Sequence, residues 1–273
     1  MKGRKFLAVL LAALLWSLPA FGELKTGKLS MSWISEEDFS AAVPQSWLWS
    51  LMDSEHDGKI SYKFYDTMNA MIMGLNAGEV DEIDVPQAVG EYILSVNPEY
   101  EICCAMRSRP TNFAFGFLRG EKGEALCAKF NEALASLMRS GNFSDLQEKY
   151  IYDPDFASIE PVEFAEFESA DKIIVAVTGD LPPVDYVDAA GNAAGFNTAI
   201  LAEIGRNLGL NVELVHIGHS GKTAALSSGR VDVVFWYRYL AGDEDIFKLE
   251  VPERVILSNP YYMTDIFVHV RKK

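Results

Sequence analysis

The sequence predicts an α/β protein made of two successive βαβ units, and three observations carry that expectation. Short apolar runs alternate with segments of helical periodicity from Lys28 onward, the rhythm of parallel strands joined by crossover helices. One phrase is written twice, 151 residues apart: LNAGEVD at 75–81 and LSSGRVD at 226–232 share the frame Leu-x-x-Gly-x-Val-Asp. In each copy the glycine suits the left-handed turn that closes a helix, and the valine opens a buried strand. A chain of 273 residues, 49% hydrophobic and 23% charged, is long enough for two modest cores.

The elements follow in order. Lys2, Arg4 and Lys5 precede an apolar run from Phe6 to Leu18, and Ala20-Phe21-Gly22 offers small residues for cleavage. Residues 1–22 are therefore expected to be a secretory signal peptide, the run being short for a membrane span. The alternative is a retained anchor helix. No cysteine follows the run to carry a lipid. LSMSWI (29–34) reads as a buried strand, and Ser35 before Glu36-Glu37-Asp38 as the N-cap of a helix broken or kinked at Pro44. KISYKF is the second strand, Asp66 the expected N-cap of the next helix, and Gly78 its end. VDEIDV is a third strand, with Pro86 starting another helix. FAFGFL (113–118) is a strand, and Leu126, Phe130, Leu134 and Leu137 mark one face of a long helix ending near Gly141. Residues 151–170 carry Pro154, Pro161 and a run of acids, a linker or a strap lying on the surface. The rhythm then restarts: KIIVAV as strand, TGDLPP as loop, FNTAILAEIGRNLG as helix, NVELVHI as strand, SGKTAALSSG as helix, VDVVFW as strand.

Charge and cysteines set limits. Net charge is −15, and loss of the three cations in residues 1–22 lowers it to −18. Such a surface argues against nucleic acid and anionic membrane as partners. Cys103, Cys104 and Cys127 form no disulfide framework. They read as small buried apolar residues, a bridge from Cys127 being the alternative.

KIIVAVTGDLPPVDYVDAAGNAAGFNTAILAEIGRNLGLNVELV resembles the opening of the first lobe of bacterial extracytoplasmic solute-binding proteins, the amino-acid-binding type (family 3). SNPYYMTDIFVHVRK resembles the last strand of that lobe before the hinge, and KFYDTMNAMIMGLNAGEVDEIDVPQAVGEYIL the middle of the second lobe. FAFGFLRGEKGEALCAKFNEALASLMRSGNFSDLQEKYI is similar to the family's return strand and C-terminal helices. The likeness spans most of residues 59–150 and 171–273. It implies the two-lobed, type II periplasmic-binding-protein-like α/β fold, each lobe a mainly parallel sheet flanked by helices. The segments stand in a different order from the family's. The implied organisation is a signal peptide at 1–22, a second-lobe-like subdomain at 23–110, return strand and C-terminal-type helices at 111–150, an acidic linker at 151–170, and a first-lobe-like subdomain at 171–273. That order implies circular permutation, the alternative being half-domains that pair with another chain. It also implies one continuous crossover near Arg107–Asn112, and a C-terminal strand, Phe267–Lys273, beside Lys25–Leu29.

The resemblance places ligand contacts in the cleft between lobes. The first lobe would supply Thr178, Asp180 and Leu181 from the loop after its opening strand, His219 as wall residue, and Trp236, Tyr237, Arg238 and Tyr239 from the end of VDVVFWYRY. Trp236 and Tyr237 are equally core-like residues, but two large aromatics and an arginine in a row favour exposure. The second lobe would supply Trp33 and Ser35 in place of the family's anion-binding turn, and Asp84 as the acid meeting an ammonium group. Asp84 also reads as a solvated strand end. The family's carboxylate-clamping arginine is missing: Glu244 stands there, leaving Arg238 or Arg254 to substitute.

Other signals are weaker. HSGKT has His216 where a phosphate loop requires glycine. His216 and His219, with Asp180, lack the spacing of a metal site. No nucleophile elbow surrounds Ser220 or Ser258. The expected function is non-enzymatic: capture of a small polar solute, an amino acid or a relative of one, in the periplasm or outside the cell, for delivery to the membrane permease of an ABC importer. No cofactor or metal is expected, and the chain is expected to be a monomer, or a swapped dimer if the lobes pair between chains. Two alternatives belong to other classes: a sensory or interaction module on the same fold, and a dehydratase-like enzyme using Asp180 or Glu244 as general acid.

Overall fold

A computed structural model describes residues 23–30, 60–152, 154–156, 159–188, 190–240 and 252–273. The expected signal peptide, Trp33, Ser35, Pro44 and Glu244 lie outside them. The first unit comprises β1 (Leu24–Leu29), β2 (Ile60–Tyr65), α1 (Met68–Asn76), β3 (Glu82–Pro86) and α2 (Gln87–Val96). β4 (Tyr100–Leu118) leads to α3 (Glu121–Ser140), α4 (Asn142–Gln147) and a single π-helical turn at Glu148–Tyr152. The second unit comprises β5 (Lys172–Val177), β6 (Asp180–Leu181), β7 (Asp185–Val187), β8 (Ala193–Ala194), α5 (Phe196–Leu208) and β9 (Asn211–His216). It continues through a 3-10 turn at His219–Gly221 into α6 (Lys222–Ser227), then β10 (Val233–Leu240), β11 (Val255–Leu257) and β12 (Tyr262–Lys272).

One sheet runs through the molecule in the order β2-β1-β3-β12-β4-β10-β5-β9, with β11 also on β4. Its outer strands are parallel, β2-β1-β3 at one end and β10-β5-β9 at the other. β4 and β12 are antiparallel to their neighbours. Each end is thus a small parallel sheet with second, first and third strands in that order, and the two long strands belong to both. The chain is a two-lobed α/β protein. Tyr100–Arg107 of β4 pair with Ile266–Lys272, and Phe113–Phe117 pair with β10.

The repeated phrase forms the same corner twice. Gly78 and Gly229 both take φ +71°, a conformation that costs an L side chain about 1–2 kcal/mol. In each corner the aspartate exchanges two bonds with the lobe's first strand. Asp81 N donates to Lys25 O and Lys25 N to the Asp81 carboxylate, both 2.8 Å. Asp232 N donates to Ile174 O at 2.8 Å, and Ile174 N to the Asp232 carboxylate at 2.9 Å.

Helix α3 buries Cys127, Phe130, Ala133, Leu134 and Leu137 on one face and stops at left-handed Gly141. The aromatic core of the second lobe gathers Phe115, Phe130, Phe235 and Tyr261 with ring centroids 4.4–5.3 Å apart. Residues 151–170 are largely irregular after the π-turn. Ile159, Val162 and Phe164 pack on the core, Val162 N donates to Ala193 O, and Phe167 exchanges two bonds with the Asn211 side chain. This is a strap along the second lobe.

Several expectations are corrected. The strand expected at 113–118 begins thirteen residues earlier, at Tyr100, because pairing with β12 carries the extended chain through Pro110. Helix α1 is capped by Thr67, whose side chain accepts from Ala70 N, and not by Asp66. The C-terminal strand does not lie beside Lys25–Leu29: β3 stands between them, and Phe267–Val270 pair with Ile83–Pro86. The three cysteines are free; Cys127 is buried, while Cys103 and Cys104, expected to be buried, are half-buried.

Candidate ligand cleft between the lobes

The carboxyl ends of β1 and β2 in the first unit face those of β5 and β9 in the second. Loops leaving parallel strands carry backbone groups that no further strand pairs, so polar side chains collect there. Thr178 follows β5, and both its backbone N–H and its hydroxyl donate to one oxygen of Asp185, at 2.8 and 3.0 Å. Asp185 is buried on β7, and burial pushes its carboxyl up, opposed by the Thr178 and Gly179 donors. Asp180, on β6, reaches into the opposite lobe and accepts from Met68 N at 2.6 Å. Its second oxygen is buried and has no hydrogen-bond partner among the described residues. Burial raises its carboxyl too, against the N–H groups of Met68 and Asn69. Leu181 is fully buried beneath the loop.

From the other side of the cleft comes Asp66. Its carboxylate accepts from Ser220 N at 2.7 Å, and its carbonyl accepts from His219 N at 3.2 Å. Gly218 allows this approach, because a Cβ there would fall 2.0 Å from an Asp66 oxygen. His219 and Lys222 are both buried, with Nδ1 and Nζ 3.4 Å apart. An ammonium can only donate, so Nδ1 accepts and the ring proton sits on Nε2, which has no partner among the described residues. Burial, and then Lys222, hold His219 well below its ordinary range, so the ring is neutral. Burial also lowers Lys222 to about 8, against the pull of Asp185, Asp180 and Asp66.

The structure thus brings Thr178, Asp180, Leu181 and His219 together. Tyr237 is 2% exposed and belongs to the core: its ring packs against Gly116 and its hydroxyl lies 2.8 Å from Thr223 Oγ1. The backbone of β10 continues past its pairing with β5, with Trp236 inside the register shift between Val234 and Tyr237, and Arg238 and Tyr239 opposite Phe113 and Asn112. Asp84 lies within β3, ion-paired with Lys28 of β1. Arg254 is exposed before β11 and accepts through its carbonyl from Arg119 N, at the amino end of β10. That end is opposite the one where Thr178 and His219 sit, so Arg254 is not available as a clamp. Asp66, Asp185 and Lys222 were missed from sequence. A signal for Lys222 exists, since it shares a helical face with apolar Ala225 and Leu226, where a charge is out of place.

This arrangement can hold a small polar group among fixed donors and acceptors. A third contact joins the lobes outside it, where Tyr92 of α2 meets Tyr186 of β7 and Phe156 of the strap, with ring centroids 6.2 and 5.2 Å away.

Residues 173–239 match the family model of bacterial extracellular solute-binding proteins, family 3. Over 93 residues the chain is 33% identical to the probable ABC transporter extracellular-binding protein YckB of Bacillus subtilis (strain 168), a stretch covering 33% of this chain and 30% of that protein. Among solved structures, similarity extends to the zinc-bound ligand-binding component of an ABC-type import system from Staphylococcus aureus. That match has a TM-score of 0.48 at 11% identity, covering 92% of this chain and 66% of the other. The alkanesulfonate-binding protein SsuA from Xanthomonas axonopodis pv. citri gives 0.44 at 10% identity, with 93% and 66% covered. The VFT2 domain of Bordetella pertussis BvgS gives 0.41 at 12%, with 96% and 84% covered.

Proposed function

Taking the chain as a relative of the bacterial extracellular solute-binding proteins of family 3, matched over residues 173–239, we propose that it binds a small polar solute between its lobes and presents it to an ABC importer. The observation that supports this reading is the polar lining at the facing strand ends, with Asp185, His219 and Lys222 buried and Thr178 and Asp180 partly buried in the second lobe, facing Asp66 of the first, in a chain whose lobes share β4 and β12. An amino acid or a related compound is the solute class we favour, with Asp180 and His219 as contacts and Arg238 supplying the anion clamp. The protein works outside the cytoplasm, as a monomer, without catalysis.

We read the segment order as a circular permutation of the family's two-lobed unit. In support, Phe113–Phe117 pair with β10 of the same chain, and the strap from Tyr152 to Asp171 joins the helical end of one unit to the first strand of the next.

Native mass spectrometry of the purified chain, followed by thermal melts against a panel of amino acids and related solutes, tests the function. The expected result is a bound small mass. The matching solute should then add ~2.7 kcal/mol of stability at hundredfold excess over Kd. No bound mass, together with no shift from any member of the panel, would refute solute capture.

A further inference from the structure

The bonds across the cleft are reciprocal. Asp180 of the second lobe accepts from Met68 N, the first residue of α1 in the first lobe. Asp66 of the first lobe accepts from Ser220 N, in the turn that leads into α6 of the second. Among the described residues the turn and α6 have no side-chain cap of their own, and the carboxylate across the cleft serves the turn. Helix α1 has Thr67 as its local cap, which takes Ala70 N, so Asp180 serves a first-turn donor that the local cap leaves free. Gly218 takes φ −61° and ψ 158°, which any residue adopts. Its lack of a side chain therefore answers to the close approach of Asp66 and not to backbone conformation.

We propose that Asp66 and Asp180 form a two-point latch, in which each lobe caps a helix start of the other and the cleft is held shut before any solute arrives. Solute entry then competes with the latch, and the apparent affinity falls by the fraction of molecules that are latched. The inference is independent of which solute the cleft takes.

A latch differs from two local caps in one measurable respect. Opening at either point frees both, so damage on one side must be felt by the amide on the other. Amide hydrogen exchange on the full chain without added solute reads this directly. Asp66→Ala should speed exchange at Met68, whose N–H is bonded to Asp180 and not to Asp66, by roughly fivefold or more, the factor matching loss of one cap. Asp180→Ala should do the same at Ser220, and Gly218→Ala should act like Asp66→Ala with no change of charge. Each variant should also enlarge the radius of gyration in solution scattering. If Asp180→Ala fails to melt cooperatively, Gly218→Ala carries the test. Acceleration confined to the amide that each carboxylate itself binds, with unchanged scattering, would overturn the latch and leave two independent caps.

Discussion

The two corners at Gly78–Asp81 and Gly229–Asp232 have the same backbone and opposite surroundings. Counting 151 residues forward carries β2 (Ile60–Tyr65) onto β9 (Asn211–His216) and Leu75 onto Leu226. The same step carries Met68 onto His219 and Met71 onto Lys222. All four of these helix residues are buried. In the first lobe the helix turn above the corner is filled by methionine against a large core. In the second, the equivalent places hold an imidazole and an ammonium beneath the cleft. One frame therefore serves two purposes. The corner fixes where the helix meets the sheet, and the residues about two and three turns back decide whether that junction is packing or polar lining.

The sharpest way to test this contrast is to give the second corner the residue of the first. Lys222 is held at about 8, against an ordinary 10.5. Between those values the unfolded chain binds more protons than the folded one, so stability rises with pH through that window. The gain should be about 3 kcal/mol in urea unfolding from pH 8 to 10.5, and it should vanish in Lys222→Met. The difference between the two curves removes the contribution of the tyrosines, which titrate in the same range. An identical alkaline limb in both proteins would show that the ammonium is not buried in solution.

Next in size is the pair of aspartates. Asp232 is partly buried, accepts from Ile174 N and also meets Lys122 at 2.7 Å. Asp81 is exposed, and among the described residues its carboxylate accepts only from Lys25 N. Asp232→Ala should cost ~1–3 kcal/mol because it orphans a partly buried donor, and Asp81→Ala should cost less, since water reaches the freed group. The Lys122 pair adds little, its side chain being largely in solvent. Equal losses in denaturant titrations would mean that burial does not distinguish the corners. The smallest effect should be the most symmetrical. A Cβ at Gly78 or Gly229 meets nothing within 4 Å, so alanine at either position should cost about 1 kcal/mol, from the left-handed backbone alone. Unequal costs would show that one corner is strained in a way the other is not.

How far the sequence could be read follows from the range of the forces involved. The corners were legible because Gly, Val and Asp act within a few residues of themselves. Helix α3 was legible for the same reason, through Phe130, Leu134 and Leu137. The first half of β4 was not, since residues 100–112 alternate weakly and contain Pro110; only the partner strand β12 makes them extended. Asp66 shows the limit most clearly. Its position before α1 and its chemistry both mark it as a cap, yet the helix start it caps is 154 residues away in the chain. Local rules name the kind of bond a residue will make, and tertiary placement decides with whom. Of the expected site, Thr178, Asp180, Leu181 and His219 lie in a loop and a turn adjoining recognisable strands, whereas Tyr237 follows a register shift in β10 and packs in the same buried cluster as Val234.

The paired strands β4 and β12 have a mechanical consequence. Each is tied to the other along nearly its whole length, so the lobes cannot slide past one another without tearing a ladder of backbone bonds. They can bend where that ladder is already interrupted, between Thr264 and Ile266 and between His269 and Val270. At the first break the Thr264 hydroxyl donates to Ile266 O at 3.0 Å and accepts from Ile266 N at 3.2 Å, so the gap is stitched by a side chain that can rotate. The molecule is in this sense a flexure: two stiff plates on a ribbon, compliant about one axis and rigid along the others, with its softest point beside Thr264.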